Sequence, residues 1–552
     1  MTEIYSGGDI VTLDPDNPSP EAIAVDKGVV AAVGTRDELL AAYPGAEGID
    51  LEGGCLLPSF TDHHLHLTAI GLALLNKEED ERLFLDLAGA PSVDAIVERV
   101  VERATHVPRG GWILGMGWNQ HDWGTAMLPD HGALSGAVPD HPVFLVRIDA
   151  HSAWVNQAAL DIVGFSADTP DPYGGRILRH ADNAPSGVLL ERAVEPMLEH
   201  IPVSAGWELR EAFKRAAHAM AARGVTEVFD AGFMAAPAIV SMGVDFEVAL
   251  ELLTAADAKD PLPVDVNLMV PSPSPLADRI VADPDAYREL SERIRVTHLK
   301  LYADGAFGSR GAALTHPYAD DPSTSGFMRM GDDELEHEMR RALEAGLDIS
   351  THAIGDHAVH RVLRAYCTVA DDIGDVNPGR FRIEHFGYSS PEDQREAAAR
   401  GFLLVAQPNF IDPDVEGRAM EDSRLGAENG DRVYPWKSLH DAGANLALSS
   451  DYYVAPGPPL LDFHAAHTRA NRAGTPAGGW QPQERLSREE GLRLATALHR
   501  GGGGQPTGGV IRAGAPADLA VLSGNPLTVP ANELLRIEVH ATVRRGEAVY
   551  PP

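Results

Sequence analysis

The sequence predicts an α/β protein: a (β/α)8 TIM-like barrel, a small composite β-domain built from both chain ends, and a long insertion after the first barrel strand. Three observations lead there. In the middle of the chain, eight short apolar runs that stop at a polar or glycine break alternate with helical patterns. At both ends, blocks of β-forming residues alternate with Gly and Asp turn signals. Between them, histidine, lysine and aspartate recur at the C-terminal edges of the apolar runs, which is where a barrel of this kind gathers its chemistry.

The end blocks come first. IYSGGDIVTLDP, EAIAVDKGVVAAVG and GIDLEGGCLLP share their character with GAPADLAVLSGNP and VHATVRRGEAVY near the C-terminus. Residues 1–57 and 506–552 are therefore expected to pair into one sandwich-like β-domain. The glycine-rich stretch GGGGQPTGG at 501–509 serves as the connector, and residues 58–505 hold the barrel.

The eight expected strands are CLLPSFTDHH, GVTEVFDAG, PVDVNLMV, RVTHLKLYADG, LDISTHAIGD, RFRIEHFG, FLLVAQPN and NLALSSDYY. Helical segments such as DDELEHEMRRALEAG and SPEDQREAAARG lie between most of them. The stretch from about 70 to 205 is too long for one crossover and is expected to form an insertion over the barrel mouth.

Composition narrows the function. The 45 Lys and Arg stand against 81 Asp and Glu, a formal charge of −36, which argues against nucleic acid or an anionic membrane as partner. MTEIYSGGDI has neither the basic nor the apolar region of a secretion signal, and no apolar run reaches membrane-spanning length. Cys55 and Cys367 are too few for a disulfide framework. These features lead us to expect a cytoplasmic protein acting on a small molecule, with homo-oligomerisation left open.

In PSFTDHHLHL (58–67), His64 and His66 are two residues apart, so on a strand both reach one point inside the barrel. His352 and His385 add two imidazoles from later strands and Asp451 a carboxylate. This donor set favours zinc, with manganese, iron or nickel as alternatives. Lys300 sits at an equivalent edge and is one of only six lysines. Carbamylation by CO2 would turn it into an anionic ligand bridging two metals; otherwise it binds substrate or pairs with Asp304. His63 alternates to the other face and is expected to pack behind the barrel wall, and Asp62 to accept a hydrogen bond from a ligand histidine.

Together with KLYADGAFGSRGAAL, THAIGDHAV, RIEHFGYSSPED and LALSSDYYVAPGPPL, in that order, this stretch resembles the amidohydrolase superfamily, and within it the branch that includes the N-substituted formamide deformylases. GWNQHDW, RIDAHSAWVNQAAL and DPYGGRI resemble parts of that branch's insertion. Ser59, His63 and His357 depart from the usual pattern without removing a ligand. The resemblance implies that His64, His66 and Asp451 hold a more buried metal, that His352 and His385 hold a more exposed one, and that Lys300, as a carbamate, bridges them. One ion or two are both compatible with it.

The expected reaction is hydrolysis of a carbon–nitrogen bond in a small N-substituted amide or formamide by a metal-activated hydroxide, with Asp451 moving the proton. Trp118 and His151 in the insertion, and Tyr302 and Arg310 after the fourth strand, are candidate substrate contacts. The rival readings are a deaminase or cyclic-amide hydrolase on the same site, and a non-catalytic scaffold that keeps the barrel.

Overall fold

The structure, a computed structural model, describes residues 2–78, 81, 83–124, 127–201, 206–231, 246–411, 418–426, 429, 432–499 and 508–551. Residues 501–507 of the expected connector lie outside this set. At the centre is an eight-stranded parallel sheet in sequential order: β1 (Phe60–Leu65), β2 (Val225–Ala231), β3 (Asp265–Pro271), β4 (Ile294–Tyr302), β5 (Asp348–Ala353), β6 (Phe381–His385), β7 (Leu403–Ala406) and β8 (Asn445–Leu448). Every strand coincides with one of the eight apolar runs; three overrun it by one residue, at Leu65, Pro271 and Ile294. Their near-continuous burial is what a sheet covered on both faces requires.

The sheet closes just past the end of β8. The Asp451 N–H donates to the His64 carbonyl at 2.7 Å and the His66 N–H to the Tyr452 carbonyl at 2.5 Å, with Leu65 bridging Tyr452. Closure therefore brings the HxH strand and Asp451 together by backbone hydrogen bonds, before any side chain contributes.

One expected strand divides. CLLP forms its own strand, Cys55–Pro58, which pairs antiparallel with Leu519–Leu522 outside the barrel, while Phe60–Leu65 enters the barrel. The division falls at Ser59, whose N–H donates to the Asp518 carbonyl, so the chain is still tied to the outer sheet one residue before it turns inward. That outer sheet runs Asp9–Ile10, Cys55–Pro58, Leu519–Leu522, Val539–Arg544, Glu547–Tyr550 and so combines both chain ends. A second sheet, ordered Val29–Gly34, Ala22–Asp26, Glu3–Ser6, Glu47–Asp50, shares an apolar core with it, including Tyr5, Ile23, Leu56 and Val543.

After β1 the chain forms a helix, Leu67–Glu78, and then a six-stranded mixed sheet between Leu85 and Glu191. The helix packs against Gly206–Ala221 so closely that a Cβ on Gly71 would lie 1.9 Å from the Ala212 carbonyl oxygen. We expect Gly71→Ala to force these helices apart and to cost about 1–3 kcal/mol or more of stability, measured by thermal or denaturant unfolding. Among the described residues no helix is long and apolar enough to cross a membrane.

Candidate functional site

The C-terminal ends of the barrel strands open into a cavity of about 140 Å3. Its floor is formed by His64, His66, Lys300, His352, His385 and Asp451, and its apolar walls include Phe307, Ile354, Phe410 and Val454. The insertion contributes Ile148, Ala150, His151, Val194 and Leu198, so it does cover the barrel mouth. By volume the cavity holds on the order of ten waters, room for a small molecule.

On the floor, one ligand atom each from His64, His385 and Asp451 lies within 4.8 Å of the other two. Asp451 Oδ1 is 3.4 Å from His64 Nε2 and 3.2 Å from His66 Nε2, yet it has no hydrogen-bond partner among the described residues. The His352 ring centre is 4.6 Å from that of His385. Lys300 Nζ is fully buried with no hydrogen-bond partner among the described residues, and lies 5.2 Å from the centre of the Tyr302 ring. Lys300 does not pair with Asp304. That carboxylate instead accepts the N–H groups of Ala313, Ile354 and Gly355 and pins the loop after β4 to the end of β5.

Protonation follows from burial. Desolvation drives His352 well below its usual range, His385 to about 3, and His64 downward, so these imidazoles are neutral and able to donate lone pairs. Burial would raise Asp451, but the imidazoles of His64, His66 and His385 more than offset this and keep it ionised. Burial lowers the Lys300 amine to about 8, against the opposing pull of Glu384 and Asp451, which raises the share of neutral amine able to react with CO2 above that of an ordinary lysine. Neutral imidazoles, an ionised carboxylate and two orphaned buried polar atoms converging on one floor fit a divalent metal.

Two of the floor residues carry backbone strain. His385 has φ of 72° and Asp451 φ of 54°, in the left-handed region that non-glycine residues rarely occupy. Strain of this kind persists where the surroundings over-determine it and clusters at functional sites.

The residues that orient the floor were not anticipated from the sequence. Glu384 Oε2 lies 2.5 Å from His64 Nδ1, while its Oε1 accepts from Arg382 Nε at 2.5 Å and from Ser350 Oγ at 2.7 Å. Gln407 Oε1 lies 2.9 Å from His385 Nδ1. Each partner occupies Nδ1 and leaves Nε2 for the floor. Asp62 accepts from the backbone N–H of His64, not from its ring, and from Ser450 Oγ at 2.5 Å and the Ser450 N–H, so it is a structural acceptor tying β1 to the end of β8. His63 turns away from the floor, with Nε2 2.9 Å from the Ala497 carbonyl and its ring stacked on Phe229. Glu384→Gln is expected to weaken metal affinity by about 10–100-fold, read by chelator competition, because it removes the charged acceptor that holds His64 and Arg382.

Of the expected substrate contacts, His151 and Tyr302 line the cavity; Trp118 and Arg310 do not. Trp118 is wholly buried inside the insertion, where it stacks on Trp123 and donates to the Leu145 carbonyl. An indole this large serves the insertion's core better than a wet cavity wall. Arg310 forms a two-point ion pair with Asp320, at 3.2 and 3.0 Å, which takes up the charge a substrate carboxylate would need.

A parallel barrel with a histidine- and carboxylate-bearing floor at its C-terminal end defines a class of metal-dependent barrel hydrolases, and comparison with known proteins narrows it. The amidohydrolase family model matches residues 47–550, and a model for the imidazolonepropionase-like composite domain of bacteria matches residues 22–46. The chain belongs to the amidohydrolase family and is a hydrolytic enzyme acting on carbon–nitrogen bonds. It is 30% identical over 560 residues to the putative amidohydrolase YtcJ of Bacillus subtilis (strain 168), covering 100% of this chain and 99% of that protein. It is 28% identical over 568 residues to the N-substituted formamide deformylase of Arthrobacter pascens, covering 98% and 96%. The crystal structure of an uncharacterized metal-dependent hydrolase from Pyrococcus horikoshii OT3 matches with a TM-score of 0.71 and 26% identity, over 96% of this chain and 99% of that one.

Proposed function

We propose that this enzyme hydrolyses a small N-substituted amide or formamide at a metal centre on the barrel floor. The observation that carries the reading is the convergence of His64, His66, His385 and the Asp451 carboxylate at the floor of a small cavity with apolar walls. The likeness to an N-substituted formamide deformylase over nearly both chains supports the substrate class. His64, His66 and Asp451 would hold one metal, most simply zinc; His352 and His385 would hold a second ion where one is bound, and Lys300, as a carbamate, would supply a further anionic ligand. Bound there, the metal lowers the pKa of water and polarises the acyl carbonyl.

The chain's own residues then do the rest. Asp451 takes a proton from the attacking water and delivers it to the leaving nitrogen, as a C–O bond forms and the C–N bond breaks. The walls formed by Phe307, Ile354 and Phe410 take up the apolar N-substituent and exclude bulk water. Cys55 and Cys367 are free and buried, which suits a reducing compartment such as the cytoplasm.

A panel of N-alkyl and N-aryl formamides and acetamides, assayed with zinc-reconstituted enzyme for release of both carboxylate and amine, tests the reading. Turnover is expected on at least one formamide. Ammonia from aminated heterocycles with no amide turnover would move the enzyme to the deaminase reading.

A further inference from the structure

The cavity wall nearest the His352 side of the floor is built where the insertion meets the barrel. Glu191 ends the insertion strand Pro185–Glu191, wholly buried and with φ of 51°, a left-handed conformation costly for a glutamate. Its N–H donates to the His151 carbonyl at 2.9 Å, and its carboxylate oxygens lie 3.0 and 2.9 Å from His151 Nδ1. Arg329, from the barrel loop after β4, meets the same carboxylate, Nη1 to Oε2, at 3.0 Å and lies 5.1 Å over the Tyr302 ring. The His151 ring centre is 4.9 Å from that of His352.

Two glycines make room for this carboxylate. A Cβ on Gly305 would lie 1.9 Å from Glu191 Oε1, and one on Gly311 would lie 2.8 Å away. An ion pair that only joined the insertion to the barrel would need Arg329 and Glu191. It would not need a strained glutamate backbone, two vacated side chains and an imidazole whose Nδ1 is held so that Nε2 is the nitrogen left for the cavity.

We propose that Glu191 is a positioning residue that, through His151 Nδ1, aims His151 Nε2 at the acyl oxygen of the substrate, while Arg329 balances its buried charge. The inference rests on the amide-hydrolysis reading above and adds to it a contact with the acyl oxygen supplied by the insertion. Glu191 never touches the substrate; His151 does.

Acetohydroxamate, whose oxygens stand for the acyl side of an amide, is the probe. Its affinity for zinc-reconstituted enzyme is measured by calorimetry, beside metal content, for wild type, His151→Ala, Glu191→Ala, Glu191→Gln and the His151→Ala/Glu191→Ala double variant. Each alanine variant is expected to bind about tenfold more weakly at unchanged metal content, and the double variant no more weakly than the singles, because both remove one contact. Glu191→Gln keeps the shape and one acceptor oxygen and should fall between wild type and Glu191→Ala. It also carries the test if Glu191→Ala does not fold.

Wild-type affinity in the Glu191 variants, losses that add in the double variant, metal content that falls in step with binding, or no binding by wild type would each overturn the proposal. Failure of the amide panel with this hydroxamate pattern intact would remove the amide reading and leave the His151–Glu191 device standing. An active amide hydrolase with unaffected variants would do the reverse.

Discussion

Asp451→Asn is expected to leave the fold intact and to lower kcat for amide hydrolysis by about 10²–10⁴-fold. The substitution is nearly isosteric, and asparagine tolerates the left-handed backbone at this position, where φ is 54°. The hydrogen bonds that close the barrel here, from the Asp451 N–H to His64 and from the His66 N–H to Tyr452, are made by the main chain and survive the change, as does the local bond from the Ala455 N–H to the Asp451 carbonyl. What is lost is the ionised carboxylate proposed to accept and return the proton. Steady-state kinetics at matched metal content separates this from simple loss of the ion. Undiminished turnover would take Asp451 out of the proton-transfer role.

Lys300→Ala is expected to lower bound metal from two ions to one or none, by elemental analysis of protein purified without chelator and reconstituted with zinc and bicarbonate. Lys300 is fully buried on the floor, its Nζ has no hydrogen-bond partner among the described residues, and burial lowers its pKa to about 8. An ordinary structural lysine would be paired with one of the nearby carboxylates. Lys300→Met, which keeps most of the side-chain volume, guards against a cavity effect on folding. One ion in wild type and variants alike would make the centre mononuclear and Lys300 a bystander to it.

Much of the architecture was legible because strands buried on both faces read as apolar runs and because crossovers between parallel strands are long and usually helical. The eight barrel strands could be marked on the chain for this reason. The site residues stood out because polar groups at the ends of such runs are unusual. The partners that orient them were harder to see. Strand alternation places Glu384 on the opposite face from His385, but the left-handed turn at His385 swings its imidazole over the mouth while Glu384 stays in phase with Arg382 inside the barrel. Simple alternation fails wherever the backbone is strained. Asp62, in phase with His64, accepts from that residue's main-chain N–H but not from its ring. Barrel closure brings Ser450 to it first.

Trp118 and Arg310 show the same limit from the other side. Both residue types suit a substrate pocket, and nothing local separates an indole packed against Trp123 from one facing a ligand, or a guanidinium held by Asp320 from one awaiting a carboxylate. By itself the sequence determined the barrel, the pairing of the chain ends, the presence of a covering insertion and the donor types at the strand ends, because each is written in local pattern and spacing. Only the tertiary structure decided which of those donors share one floor, and that Glu384, Gln407 and Glu191 hold their imidazoles in place. Those contacts join segments distant in the chain, and their geometry is set by barrel closure and by the packing of the insertion on the barrel.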